Sequence, residues 1–155
     1  SMSSSQTLRE TLEADIITAM RERNQVRLDA LRFLKSAIQM EEKAKLKTLD
    51  EAAVLQVVVK QVNDRREAIR MFTEGNRDDL VAKESGDLAV LEAYLPPQIS
   101  RDELVALVRR VIGEVGATGG QDKGKVMGKL MPQVRGKADG AEVNSIVVEM
   151  LESAG

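Results

Sequence analysis

The segment GKVMGKLMP, residues 124–132, holds two glycines four positions apart, each with a lysine directly after it. In a helix, Gly124 and Gly128 share one face, and Lys125 and Lys129 form the adjacent row. Each mid-helix glycine costs roughly 0.5–1 kcal/mol relative to alanine, so we expect something to compensate for that cost. A bare helix backbone beside paired lysines suits a nucleic-acid backbone, because lysines supply the charge and small residues allow close approach. The wide, shallow minor groove of RNA is the form that such a surface fits.

The same glycines have a second interpretation, in which they let a neighbouring helix pack closely. Four apolar residues would then complete a small core: Val126, Met127, Leu130 and Met131. The sequence leaves both interpretations open. It argues against single-strand binding through base stacking, because no aromatic residue lies nearby.

Basic residues cluster around this segment. Residues 118–138 contain five basic side chains and a single acidic one, that of Asp122. Lysine and arginine bind phosphate oxygens, so we predict an RNA-contacting surface here. Asn144, near the start of the next helix, would either hydrogen-bond to RNA or cap local backbone. The predicted RNA-binding residues are Lys123, Gly124, Lys125, Gly128, Lys129, Arg135, Lys137 and Asn144.

The chain of 155 residues contains no cysteine and no histidine, which excludes several classes of chemistry. Disulfide scaffolds, Cys/His zinc sites and Ser-His-Asp catalysis all need one of these residues. The segment GATGGQDKGK is not a phosphate loop of the GxxxxGK[ST] type, because Val126 follows Lys125. We therefore predict no catalytic residue, no metal and no cofactor.

The expected location is the cytoplasm, with no membrane partner. No apolar run approaches the roughly 18 residues that a membrane span needs. The opening residues, SMSSSQ, lack the basic start and apolar stretch of a secretory signal.

Apolar residues at helical spacing predict an all-α fold. Four helices are expected over residues 7–23, 25–45, 48–74 and 77–93. The third would begin at a capping box, TLDE, with Thr48 as its cap, and would end at Gly75 in a left-handed conformation. Three shorter helices follow: one opening at Ser100, one that Pro132 and Gly136 end, and one opening at Asp139.

The segment YLPPQIS is the strongest boundary in the chain, because Pro96 and Pro97 cannot continue a helix. We predict an N-terminal bundle of about four helices, residues 6–95, joined by this Pro-Pro hinge to a small three-helix domain, residues 100–153. The sequence leaves the oligomeric state open.

Two segments, YLPPQIS and KGKVMGKLMPQVRGKADGAEVNSIV, resemble those of the YqeY family. The C-terminal module is similar to the tail domain of the B subunit of glutamyl/aspartyl-tRNA amidotransferase. The resemblance implies a two-domain helical protein with a module related to one that contacts tRNA. It also implies a link to carbon–nitrogen ligase activity with glutamine as the amido-N-donor.

The expected function is that of an accessory protein that binds tRNA or a tRNA-handling complex. Catalysis by this chain alone is not expected, because nothing in it resembles the catalytic parts of the amidotransferase. The alternative is a helical protein-interaction adaptor without RNA binding, which would dock through the valine-rich helix 48–74 or the hinge.

Overall fold

The structure is a computed structural model that describes residues 6–154, so the opening SMSSS lies outside the described residues. Residues 6–154 form seven α-helices and one 3₁₀ turn without any strand, and the prediction of an all-α fold is confirmed. Within this range, no helix combines the length and the apolar character needed to cross a membrane. The helices are α1 (Leu8–Arg21), α2 (Gln25–Lys45), α3 (Glu51–Glu74), α4 (Asp78–Glu92), α5 (Arg101–Val115), α6 (Lys123–Val134) and α7 (Gly140–Ala154), and the 3₁₀ turn is Gly120–Asp122.

Several of these helices begin at a polar residue whose side chain caps the first turn. Asn24 accepts a hydrogen bond from the Arg27 amide at 3.1 Å and begins α2. Ser100 accepts from the Glu103 amide at 3.1 Å and begins α5, as predicted. Such caps satisfy amides that have no partner within the helix.

Helix α3 begins later than predicted, and Thr48 is not its cap. Asp50 caps it instead, accepting from the Ala53 amide at 2.9 Å. The reason lies in Leu49, whose buried side chain and hydrogen bond to Glu42 hold the preceding residues in a turn.

The end of α3 also differs from the prediction by one residue. Gly75 has a φ of −85°, and the left-handed residue is Asn76, with a φ of +56°. Gly75 extends the last helical turn by donating to the Met71 carbonyl at 3.1 Å, so the reversal falls on the next residue. Asparagine tolerates this conformation better than most residues.

The chain divides into two compact units, with the boundary between Leu95 and Pro96. The first unit buries one side of α1–α4, with Leu12, Leu31, Leu34, Val58 and Leu91 among its core residues. The second unit buries one side of α5–α7, with Val108, Val126, Leu130, Val134 and Val147 among its core residues. Helices as short as α6 are marginal in water alone, so this packing is what maintains them.

Tyr94 contributes a buried polar contact to the first unit. Its side chain is buried, and its hydroxyl donates a hydrogen bond to Asp15. Asp15 also lies 3.6 Å from the guanidinium of Arg27. Burial, followed by the hydrogen bond to Asp15, raises the pKa of Tyr94 above its ordinary value.

We expect Tyr94 to stay protonated at alkaline pH until the first unit unfolds. Because the folded-state pKa is the higher one, the stabilisation is fully present below the unfolded value of about 10 and is lost as the pH rises above it. The chain has a single tyrosine, so phenolate absorbance reports Tyr94 alone. In an alkaline titration, that absorbance and the loss of helical circular dichroism should change together. Phenolate formation in a fully helical protein would contradict this expectation.

Candidate nucleic-acid interface

Helix α6 carries the predicted surface, and its buried side determines which face is exposed. Val126, Leu130 and Val134 are fully buried in the core of the second unit. Their spacing of four residues places them on one side of the helix. The opposite side is exposed and includes Gly124, Lys125, Gly128 and Lys129.

Neither glycine of this row packs against another part of the chain within residues 6–154. A Cβ atom built at Gly124 or Gly128 meets nothing within 4 Å. Neither residue has a positive φ, so backbone conformation does not call for glycine at these positions. The close-packing interpretation is therefore wrong for the glycines, because the space above both is open. Its apolar part is confirmed, since Val126 and Leu130 lie in the core of the second unit and Met127 and Met131 pack against that core. Among the residues that the structure describes, no contact compensates for the cost of the glycines in helix stability.

Pro132 continues the glycine row by one more turn, although it was expected to end the helix. Helix α6 runs through Pro132 to Val134, which is anchored in the core. Proline has no N–H, so Pro132 cannot give the Gly128 carbonyl its usual hydrogen bond. Gly128 itself is an exposed residue. The chain turns after the helix at Gly136, which has a φ of +79°.

The two lysines of the row have different surroundings. Lys125 is exposed and forms no ion pair among residues 6–154. Lys129 reaches across to α5, where its ammonium lies 2.7 Å from the carboxylate of Glu114. Lys125 is thus the freer cation, and Glu114 partly neutralises Lys129.

Glu114 belongs to a small polar cluster between α5 and α6. The Arg110 guanidinium lies 3.2 Å from Glu114 and donates to the Gln133 side chain at 3.2 Å. The hydrogen bond from Lys129 is the main cause that lowers the pKa of Glu114, and the positive charges of Lys129 and Arg110 add to it. Glu114 is therefore ionised at neutral pH and competes with any external anion for these two cations.

The remaining predicted residues flank the row. Lys123, half-buried, is the first residue of α6, and Asp122 before it accepts from the Thr118 amide at 2.9 Å. Arg135 and Lys137 are exposed in the turn after α6. At 1.5 Å per residue, the two ends of this helix lie roughly 18 Å apart. The basic residues therefore form an elongated strip and not a single pocket.

Asn144 lies on a different helix, α7, where it is exposed. Its side chain makes no hydrogen bond to any residue that the structure describes. The capping role proposed for it belongs to Asp139, which accepts from the Ala141 amide at 3.0 Å. The prediction that Asn144 contacts RNA stays a prediction.

Arg110 and Glu114 were not predicted as part of the surface. Their spacing of four residues on α5 indicates a mutual ion pair, and that pair forms. The sequence carries no signal for which neighbouring helix they face, because that depends on how α5 and α6 pack.

Comparisons with known proteins give one matching family and several relatives. The family model described as "Yqey-like protein" matches residues 9–151. A protein of Pyrenophora tritici-repentis, "Altered inheritance of mitochondria protein 41, mitochondrial", is 29% identical over 145 residues, 92% of this chain and 80% of that protein. A protein with the same description in Saccharomyces cerevisiae is 28% identical over 151 residues, 91% of this chain and 82% of that protein. Another, in Kluyveromyces lactis, is 32% identical over 107 residues, 67% of this chain and 58% of that protein.

These relatives overturn the expectation of a cytoplasmic location, since each is described as a mitochondrial protein. The expectation was wrong because it rested on the absence of a membrane span and of a secretory signal, and neither absence distinguishes the cytoplasm from mitochondria. Targeting to mitochondria is encoded in separate segments of a sequence, and the composition of a folded domain does not report it.

Proposed function

We propose, from the finding that the chain belongs to the family of Yqey-like proteins, that it is an accessory protein that binds tRNA or a tRNA-handling complex. The binding surface is the exposed face of α6. The observation that carries this proposal is the open space above Gly124 and Gly128, next to a row of lysines.

An RNA backbone fits this surface for three physical reasons. The glycines let a sugar-phosphate backbone approach the helix more closely than any side chain would allow. Lys125 and Lys129, whose Cβ atoms lie about 5–6 Å apart on a helix, supply charge for phosphates. The Gly128 carbonyl, which Pro132 cannot bond, can accept a hydrogen bond from a ribose 2′-hydroxyl.

The flanking cations extend this surface along the strip. Arg135 and Lys137 follow the last turn of α6, where a backbone running along the helix would continue. Lys123 begins the helix on its buried side, three residues before Val126, so its ammonium would reach this backbone only at the end of the helix. Contacts to phosphate carry no sequence information, so we expect affinity for the tRNA fold with little dependence on base identity. Carbon–nitrogen ligase activity, if the chain takes part in it, would depend on a separate catalytic protein.

The proposal is tested by binding of the purified chain to a mixed tRNA pool at two salt concentrations. With about four or five phosphate contacts, the affinity should fall about a hundredfold between about 50 and 200 mM salt. Salt-independent binding, or no binding at the lower salt, would contradict the proposal. A stoichiometric protein partner in the absence of RNA binding would support the adaptor alternative instead.

We also propose that residues 6–95 and 100–153 are independently folding domains, a four-helix bundle and a three-helix domain joined by the Pro-Pro hinge. The separate core of each unit supports this division. A fragment of residues 100–153 should then be helical, unfold cooperatively and retain the salt-dependent tRNA binding. A folded fragment that does not bind would place the RNA contacts elsewhere in the chain.

Replacing Glu114 by glutamine should strengthen tRNA binding by about twofold, because it releases Lys129 and Arg110 from an exposed ion-pair cluster. The measurement is the tRNA dissociation constant at low salt. Glu149→Gln, on α7, removes the same charge from the same unit and should change binding less. Equal effects of the two variants would mean that only net charge matters.

A further inference from the structure

Helix α2 exposes three large apolar side chains in one row. Val26 is 62% exposed, Phe33 is 53% exposed and Met40 is 71% exposed. They are seven residues apart, which is the spacing of a seam between two packed helices. Isolated exposed apolar residues are ordinary on a protein surface, but a row of three at this spacing indicates an interaction surface.

A second row, of alanines, runs beside the first. Ala30, Ala37 and Ala44 are also seven residues apart on α2. Ala30 lines a groove of about 640 Å³ between α2 and α4, next to Val26 and Phe33. Ala37 and Ala44 line a groove of about 560 Å³ between α2 and α3, next to Phe33 and Met40. Large side chains thus alternate with recesses along one face of the helix.

We propose that this face binds a second copy of the same chain, with the two α2 helices antiparallel. A two-fold axis at the level of Lys35 relates each large residue to an alanine of the other copy. Phe33 and Ala37 each lie two residues from Lys35. Met40 and Ala30 each lie five residues from it, and Val26 and Ala44 each lie nine residues from it. Every large side chain therefore meets a recess, and the surface is complementary to itself, as a two-fold interface requires.

The charges around the two grooves favour the same arrangement. The groove between α2 and α4 is lined by two basic and three acidic side chains: Arg65, Lys83, Asp29, Glu84 and Asp87. The groove between α2 and α3 is lined by two basic and one acidic: Lys45, Lys60 and Glu41. Lys60 is also paired with Asp64 at 2.9 Å, so the groove between α2 and α3 is close to neutral. Antiparallel pairing keeps the two acidic grooves apart, whereas parallel pairing would bring them together.

Phe33 is also held in place before any partner arrives. The guanidinium of Arg65 lies 5.2 Å from the centre of its ring. Arg65 is in turn ion-paired with Glu84, at 3.0 Å. An oriented ring loses little conformational freedom on association, which favours binding through it.

The first test is the molar mass of the full chain in sedimentation velocity over a range of concentrations. We expect a dimer that Phe33→Asp and Met40→Asp each convert to a monomer. Met71→Asp is the matched control, because Met71 is 61% exposed on α3 and lines neither groove. Helical circular dichroism of each variant verifies folding. A parent protein that is monomeric at every concentration, or a dimer that Met40→Asp leaves intact, would overturn the proposal.

The second test uses the absence of cysteine from the chain. Single Val26→Cys and Ala44→Cys variants are mixed and oxidised, and disulfide-linked dimers containing one chain of each should form. Neither variant should cross-link efficiently with itself, because each cysteine would lie at the far end of α2 from its counterpart. Efficient self-cross-linking of Val26→Cys would indicate a parallel pair and would overturn the antiparallel arrangement.

Discussion

Reversing the two lysine charges on α6, in a Lys125→Glu and Lys129→Glu double variant, is expected to weaken tRNA binding by about tenfold or more at low salt. Two attractive contacts with phosphate are lost, and two repulsive ones replace them. The dependence of log affinity on log salt should also become shallower by about two, because each phosphate contact contributes about one. Binding isotherms at several salt concentrations give both quantities.

The matched control for this variant reverses two arginines on another side of the same unit. Arg101 and Arg109 line a groove between α5 and α7, whereas the contacts to α6 come from Arg110 and Glu114. Arg101→Glu with Arg109→Glu changes the net charge by the same amount, so it separates position from overall charge. If both double variants lose binding equally, the α6 face is not the site.

Stability has to be separated from binding, because the two lysines differ in their contacts. The ammonium of Lys129 lies 2.7 Å from the carboxylate of Glu114, so Lys129→Glu would place a second carboxylate beside the first. Lys125 has no ion pair among residues 6–154, so Lys125→Glu alone should leave the thermal transition unchanged. Loss of binding in this single variant at an unchanged melting temperature assigns the effect to the surface.

Much of the fold follows from local signals. The bounds of α2, residues 25–45, coincide with the prediction, because Asn24 caps its start and apolar residues recur at helical spacing along it. The start of α3 differed because a buried Leu49 and its hydrogen bond to Glu42 are tertiary features. Pro132 likewise lies inside α6, since core packing at Val134 continues the helix beyond it.

The candidate site, like the fold, could be predicted only in part from local signals. The spacing of Gly124 and Gly128 predicted a shared helix face, and the structure places both on the exposed side of α6. Whether that face was packed or open could not be settled from spacing, because it depends on where α5 and α7 lie. For the same reason the contact with Glu114 was missed, because Glu114 is fifteen residues from Lys129 in sequence although its carboxylate lies 2.7 Å from the lysine ammonium.

Substitutions of Gly124 and Gly128 separate the stability of α6 from its binding to RNA. Gly128→Ala should stabilise the second unit by roughly 0.5–1 kcal/mol, because alanine is the better helix former and the added Cβ meets nothing. Adding Gly124→Ala should contribute less, because Gly124 is the second residue of α6. Each kcal/mol corresponds to a rise of about 4–8 °C in the melting temperature of a domain of this size. Thermal unfolding of residues 100–153, or of the full chain, measures it.

Leucine at the same two positions separates the two roles of the glycines. Leucine forms helices nearly as well as alanine, so Gly124→Leu with Gly128→Leu should be about as stable as the alanine pair. Its side chains, however, would fill the space into which an RNA backbone must come, so tRNA binding should fall by about tenfold or more.

Gly113→Leu is the control, because Gly113 is an exposed helical glycine on α5 whose added Cβ also meets nothing. It should stabilise the unit without loss of binding. A leucine pair that is both stable and fully able to bind tRNA would mean that no backbone approaches α6, and the row of glycines would lose its functional interpretation.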